Sequence, residues 1–289
     1  MTSQPSPEEA TQTAATAASS LGIKINEYAQ WRESLIATIN EYIAWLDQAG
    51  PMDAAQELRL FDIKETLKND RLLLAFLAEF SRGKTETINA LFFADFNQRL
   101  LPSAPGRTTM CPTEIFANGE PAYIQLLPIE TKFSNASLSE LKSQPELWQK
   151  FLLDTQSADA MKQTLSALIE KTSVDLATAK SLGFWHEDDA AMQKRLGEKG
   201  TVEIPMWRHA MINYPHPLLQ KGLVVIDTPG LNSMGAEPEL TLNIIPNAHA
   251  VLFLTAIDSG ITKSDMQIWS DYVKNRASHK LVLLNKIDM

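Results

Sequence analysis

The chain has 289 residues, 44% of them hydrophobic and 21% charged, which is material for one sizeable core with helical additions and not for two full domains. Its formal net charge of −9 argues against the clustered basic surface that sequence-independent nucleic-acid binding needs, and gives no basic face for a membrane. One cysteine, Cys111, allows no internal disulfide, so a reducing cytoplasm is the natural compartment and Cys111 reads as a small apolar residue. Residues 1–20 are rich in Ser, Thr, Ala, Gln and Pro and lack Lys and Arg, the composition of a disordered tail and not of a signal or transit peptide. No apolar run reaches the length that a bilayer span requires.

Residues 21–69 form a helical lead-in. Tyr28, Trp31, Leu35, Ile39, Tyr42 and Leu46 recur at three and four residues, predicting an amphipathic helix over Ile25–Gln48 that Gly50-Pro51 stops. A second helix from about Asp53 places Leu58, Phe61 and Leu67 on one side, completing an N-terminal helical hairpin. The stretch Leu72-Leu73-Leu74-Ala75-Phe76-Leu77-Ala78-Glu79-Phe80-Ser81-Arg82-Gly83-Lys84-Thr85-Glu86 then reads as buried strand, tight loop and helix start. A loop facing the amino end of a helix presents N–H groups and the helix dipole to an anion. Lys84 adds a positive charge and the Thr85 hydroxyl a ligand for Mg²⁺, so residues 78–86 make a phosphate cradle. The match to the phosphate-loop pattern is one residue short, because Ala78 stands at its first Gly. If the loop holds a positive φ there, the methyl costs roughly 1 kcal/mol.

Asn97 to Thr113, with Pro102, Pro105, Gly106 and Pro112, has the composition of a long loop able to close over a terminal phosphate. Glu114 to Leu127 alternates around Gly119-Glu120-Pro121 and reads as a hairpin of two strands. Residues 135–197 change to helical spacing, at Leu138, Leu141, Leu147, Trp148, Phe151, Leu152, Met161, Leu165, Leu168, Ile169 and Leu176, and read as a helical insertion. It either covers one flank of the domain or meets a partner. His186-Glu187-Asp188-Asp189 within it is a solvated acidic loop, since no second histidine follows at ligand spacing. Thr201 to Tyr214 reads as a strand antiparallel to the one ending at Asp227.

Leu223-Val224-Val225-Ile226-Asp227-Thr228-Pro229-Gly230 is an apolar strand ending in an acid and a turn, which suits Asp227 to Mg²⁺ through water and the Gly230 N–H to a terminal phosphate. Lys280-Leu281-Val282-Leu283-Leu284-Asn285-Lys286-Ile287-Asp288 ends likewise in polar groups. A carboxylate at Asp288 accepts two hydrogen bonds from the Watson–Crick edge of guanine, which adenine does not offer, while Asn285 and the Lys286 stem flank the base. Phosphate loop, Asp-x-x-Gly and Asn-Lys-x-Asp, each at the carboxyl end of an apolar strand, are how an open α/β sheet binds a nucleotide, and together they imply GTP or GDP as the ligand.

The run from Ala78 to Thr85 with Ile88-Asn89-Ala90-Leu91 resembles the phosphate loop of bacterial dynamin-like GTPases, which usually read Gly-Glu-Phe-Ser-x-Gly-Lys-Ser. Leu100-Leu101-Pro102-Ser103, Pro217-Leu218-Leu219 and Asn247 to Leu254 share the likeness, which covers about residues 70–130 and 200–289. The resemblance implies an α/β phosphate-loop GTPase fold, a mixed, mainly parallel sheet flanked by helices, over 70–289. It also implies catalytic groups at Ser81, Lys84, Thr109 and Gly230, with Ser81 orienting a monovalent cation (K⁺ or Na⁺) and the attacking water. Mg²⁺ ligands would be Thr85, Thr109 (or Thr108) and Asp227. Leu231 stands where small signalling GTPases place a catalytic glutamine, so Ser81 and the backbone around Thr109 are the candidates for holding water.

By the same likeness the product is a GTPase stimulated by homodimerisation through the nucleotide face, cytoplasmic or peripheral at the inner face of the membrane. Membrane remodelling would belong to a region downstream of Met289. The last strand ends at Asp288 and Met289 closes the chain, before the loop, strand and helix expected to complete the domain, so it reads either as a fragment or truncation of a longer protein or as a decayed chain. The lead-in helix either caps the domain or joins a bundle with that later region. The competing functional reading is a guanine-nucleotide-binding interaction module with relaxed catalysis, for which Ala78 and Glu86 are the marks.

Overall fold

A computed structural model of the chain describes residues 7–49, 54–69, 71–79, 81–102, 111–134, 136–185, 200–229, 247–274 and 279–287. It divides into two compact units, residues 1–72 with 217–223 and residues 73–216 with 224–289.

In the first unit, helix α1 spans Pro7–Ala49 and α2 spans Ala54–Asn69. The expected hairpin is present, but α1 begins at Pro7, so the segment read as a disordered tail is helical from there. Its alanines are the best helix formers and a proline is tolerated in the first turn. The apolar stripe of α1 is only partly covered: Leu35, Ile39 and Leu46 are half-buried, while Tyr28, Trp31, Tyr42 and Trp45 are exposed. Tyr28 stacks on Trp31 and Tyr42 on Trp45.

Among the described residues there are ten strands: β1 Leu72–Ala78, β2 Thr113–Phe116, β3 Tyr123–Pro128, β4 Gln149–Leu152, β5 Lys171–Asp175, β6 Thr201–Pro205, β7 Trp207–Asn213, β8 Leu223–Asp227, β9 Ala250–Ala256 and β10 His279–Asn285. Eight form one mixed sheet in the order β10-β9-β1-β8-β2-β7-β3-β4, and β5 and β6 form a separate antiparallel ribbon. Strands β1, β9 and β10 run parallel, so their carboxyl ends share one edge. Burial explains the apolar runs: Ala75 to Ala78 are wholly inaccessible and all five residues of β8 are buried, as in strands covered on both faces.

Helix α3, Lys84–Phe92, buries Ile88 and Phe92. The short α-helices α4 Leu138–Lys142, α5 Ala158–Leu165, α6 Leu176–Ser181 and α8 Lys263–Ile268 belong with α3 to the larger unit, and α7 Pro217–Gln220 belongs to the first. Ala75, Leu77, Ile226, Val251 and Phe253 pack with Ile268 and Val273, and Trp269 sets its ring edge-on to Phe253. Each fully buried aliphatic or aromatic side chain here contributes on the order of 1.5–3 kcal/mol.

Three expectations change. Strands β2 and β3 exist, but they are not a hairpin: β7 lies between them, parallel to β2 and antiparallel to β3. The buried Asn213 at the end of β7 shows how the connection is held. Its Nδ2 donates to the carbonyls of Glu120 and Pro121, and its Oδ1 accepts from Asn118 N, so the turn passes over the end of an intervening strand. Second, Thr201 to Tyr214 is two strands broken at Met206, where the chain leaves the ribbon; β7 runs antiparallel to β8 but with β2 between them. Third, the 135–197 insertion is mixed. It adds β4 to the edge of the main sheet and pairs β5 with β6 over a core of Ile129, Ala179, Leu182, Phe184, Trp185, Val202 and Ile204. The acidic run His186–Asp189 lies outside the described residues.

Candidate nucleotide site

Three strand ends meet at the phosphate loop. At the end of β1 the chain turns through Ser81 at φ 65° and Gly83 at φ 85° into α3. Ala78 belongs to the strand, is fully buried and has no left-handed φ, so its methyl brings none of the expected strain; the left-handed positions are Ser81 and Gly83. A side chain at Gly83 would displace Asn285, because a Cβ there would lie 2.1 Å from Asn285 Nδ2.

From the second strand end, the Asp227 carboxylate receives Lys84 Nζ at 2.8 Å and the Thr85 hydroxyl at 3.4 Å. The groups come from two chain segments more than 140 positions apart yet meet at one spot, where the Lys84 and Asp227 side chains are nearly buried. Thr228, one residue on, donates from Oγ1 to the Phe76 carbonyl at 2.8 Å and ties β8 to β1. Nothing in Asp-Thr-Pro-Gly reveals this latch beyond the presence of a hydroxyl beside a buried strand.

From the third strand end, Asn285 Nδ2 donates to the Arg82 carbonyl at 3.0 Å, which places the Asn-Lys segment directly against the phosphate loop. Lys286 has φ 58° and extends Nζ to Asp258 Oδ2 at 2.8 Å. That hydrogen bond and charge hold the exposed Asp258 carboxyl below its ordinary value. Phe80, Thr108, Thr109, Gly230 and Asp288 lie outside the described residues.

Several predicted phosphate-loop residues send their side chains elsewhere. Arg82, 7% exposed, pairs with the Glu79 and Asp265 carboxylates, the latter at 2.9 Å, and donates to the hydroxyls of Ser259 and Thr262. Asp265 and Thr262 in turn form the capping box of α8. Glu86, expected near the phosphates, pairs with Arg99 at 2.8 Å on the more exposed flank of α3. Ser81 is exposed.

Two further groups bracket the segment between α3 and β2. The buried Asn89 accepts from Leu100 N at 3.2 Å and Leu101 N at 2.9 Å and donates to the Leu101 carbonyl, fastening the start of that loop to α3. At its other end β2 carries Glu114, whose Oε1 takes hydrogen bonds from Lys142 of α4 and from the fully buried His209 of β7 at 3.0 Å. Burial alone pushes the Glu114 carboxyl up; the His209 and Lys142 hydrogen bonds and charges outweigh it and hold the group at about 2. Burial pushes the Cys111 thiol up to about 12, which keeps it protonated, as its reading as a small apolar residue requires. Among the described residues no group of three or more His, Cys, Asp or Glu side chains is arranged to hold a metal, and no helix is long and apolar enough to cross a membrane.

Thr85 and Asp227 nevertheless supply hard oxygen donors of the kind a small dication bound with phosphates takes, which fits Mg²⁺. The site therefore offers a cation, a dication seat and left-handed loop positions to one polyanion.

The model of the dynamin family matches residues 74–287. A bacterial dynamin-like protein of Nostoc punctiforme is 34% identical over 100 residues, 35% of this chain and 14% of that protein. Dynamin-like protein A of Bacillus subtilis is 22% identical over 220 residues, 69% of this chain and 17% of that protein. The matched stretch is thus less than a fifth of either relative's length. Among solved structures, an oligomerised bacterial dynamin pair, described as providing a mechanism for long-range sensing and tethering of membranes, superposes with a TM-score of 0.50 at 17% identity. It covers 89% of this chain and 32% of that one, and it shows the α/β fold.

Proposed function

This chain belongs to the dynamin family, and on that premise we propose that it binds GTP in the site described and hydrolyses it to GDP and phosphate. The observation that carries the reading is the meeting of Lys84, Thr85, Asp227 and Asn285 at the ends of three strands. Lys84 holds the terminal phosphates by charge, and the amides of residues 79–84 at the start of α3 receive their oxygens. Thr85 and Asp227 hold Mg²⁺, which when bound neutralises charge on the phosphates. Asp288, flanked by Asn285 and Lys286, reads the guanine edge and rejects adenine. Ser81, Thr109 and the Gly230 amide line the terminal phosphate; Ser81 orients the attacking water and a K⁺ or Na⁺ ion. Such a reaction needs positioning and electrostatic stabilisation more than covalent chemistry.

Self-association through the nucleotide face is part of the reading. Ile257, Ile261 and Ile287, on the two turns beside the site, and Met266 of α8 are 50%, 69%, 72% and 52% exposed, an apolar rim that a second copy would bury. Membrane remodelling joins the reading by likeness to the oligomerised bacterial dynamin pair, which is described as sensing and tethering membranes. The relaxed-module reading loses its two marks, since Ala78 is unstrained and Glu86 is engaged by Arg99.

Single-turnover hydrolysis of GTP with Mg²⁺, with and without K⁺ and across protein concentration, tests the proposal. Turnover that rises with K⁺ and concentration and falls in Ser81→Ala with binding kept is expected. GTP binding without turnover at any concentration would assign the module reading instead.

A further inference from the structure

We propose that Arg82 is a positioning residue that braces the phosphate loop against the base-reading loop through the turn at residues 257–262, so that a change on the phosphate side alters discrimination between purines. The inference rests on the guanine-nucleotide reading of the site. Its basis is a closed ring of contacts. The Arg82 carbonyl accepts from Asn285 Nδ2 at 3.0 Å. The next residue, Lys286, reaches Asp258 Oδ2 at 2.8 Å, and Ile257 N donates to the Asn285 carbonyl at 3.0 Å. Ser259, adjacent to Asp258, accepts from Arg82 Nη1, and Thr262 and Asp265 accept from Nη2. The ring thus passes from the phosphate loop to the base loop, to the turn after β9 and back, and Arg82 supplies two of its joints.

The chemistry favours a fixed brace over a solvated charge. Arg82 is nearly buried, its guanidinium lies between the carboxylates of Glu79 and Asp265, and the Asp265 side chain has no solvent exposure. A planar fork with several donors can hold four oxygens at set angles, which a lysine cannot. Glu79 Oε2 also accepts from Thr262 Oγ1 at 3.1 Å, so the loop's own carboxylate joins the same turn. The Arg82 side chain is engaged by Ser259, Thr262 and Asp265, and its backbone lies between the left-handed Ser81 and Gly83, so its place in the loop serves the turn after β9.

The test uses the full chain and compares affinity for GTP and inosine triphosphate, which lacks the exocyclic amine, in the parent, Arg82→Ala and Arg82→Lys. Arg82→Ala is expected to lower the GTP-to-inosine ratio by about fivefold, the scale of one well-placed hydrogen bond, with partial recovery in Arg82→Lys. Equal weakening of both nucleotides, as a merely structural role predicts, overturns the proposal. Amide exchange measured without nucleotide supplies an independent arm: Arg82→Ala must raise exchange in both 257–262 and 283–287, and an effect confined to the phosphate loop overturns it. Should Arg82→Ala not fold, Asp258→Asn cuts the ring at its exposed joint and must shift the ratio the same way; an unchanged ratio overturns the proposal. A parent protein that does not prefer GTP over ATP refutes the function reading, and the exchange arm then decides the brace by itself.

Discussion

Replacing Gly83 by alanine isolates the tightest approach in the site. Two costs add. The residue holds φ 85°, and a non-glycine residue in that region loses roughly 1–2 kcal/mol. The new Cβ also lands 2.1 Å from Asn285 Nδ2, a side-chain end that can swing away only by giving up its hydrogen bond to the Arg82 carbonyl, about 1 kcal/mol more. The sum, about 2–3 kcal/mol, corresponds to a fall in Tm of roughly 5–10 °C for a domain of this size. Thermal melts of Gly83→Ala, Asn285→Ala and the double variant separate the terms. In the Asn285→Ala background the Gly83 substitution should cost only the backbone term, leaving a coupling of about 1 kcal/mol between the sites. Additivity to within about 0.5 kcal/mol would refute the packing of Asn285 against the phosphate loop.

Other predictions follow from the two ends of the loop between α3 and β2. Glu114 has its carboxyl depressed from 4.5 to about 2, so the unfolded chain binds more protons between those values. The stability it contributes is fully present above about pH 4.5 and is lost as pH falls through 2, on the order of 3 kcal/mol. Urea melts across that window should slope less in Glu114→Gln; an identical slope refutes the assignment. Asn89→Ala strands the Leu100 and Leu101 amides and the Leu101 carbonyl, and should lower stability by about 2–3 kcal/mol and slow GTP turnover; turnover unchanged at full stability loss would uncouple this anchor from the site. Thr228→Val removes the latch to Phe76 and should cost about 1–2 kcal/mol in a melt, whereas a neutral result would mean the carbonyl finds another donor.

What the sequence made legible was local. A buried apolar run, a tight turn and Gly-Lys-Thr locate β1, the loop and α3 almost to the residue, and the same logic finds β8 and the Asn285 end of β10. Pairing is not local. The interposition of β7 between β2 and β3 depends on a strand about ninety positions away, and the adjacent pairing of Glu114 with Met211 leaves no mark on either sequence. The insertion misled for another reason: Leu147, Trp148, Phe151 and Leu152 have helical spacing, but all four residues of β4 are exposed on a sheet edge, where alternation carries no signal. The position of Arg82 in the loop is visible in the sequence and assigns it to the phosphate cradle, while its partner Asp265, 183 residues on, is not visible. The Thr262-x-x-Asp265 capping pattern was the available hint that this turn is ordered.

The most direct measurement is the calorimetric affinity of the chain for GTP and for ATP in Mg²⁺, repeated with Lys84→Ala. The account predicts binding of GTP on the order of 10⁴-fold tighter than ATP, the scale of a site built to hydrogen-bond one purine edge, and loss of that binding with the lysine. Equal affinity for the two nucleotides, or undiminished GTP binding without the Lys84 ammonium, would contradict it.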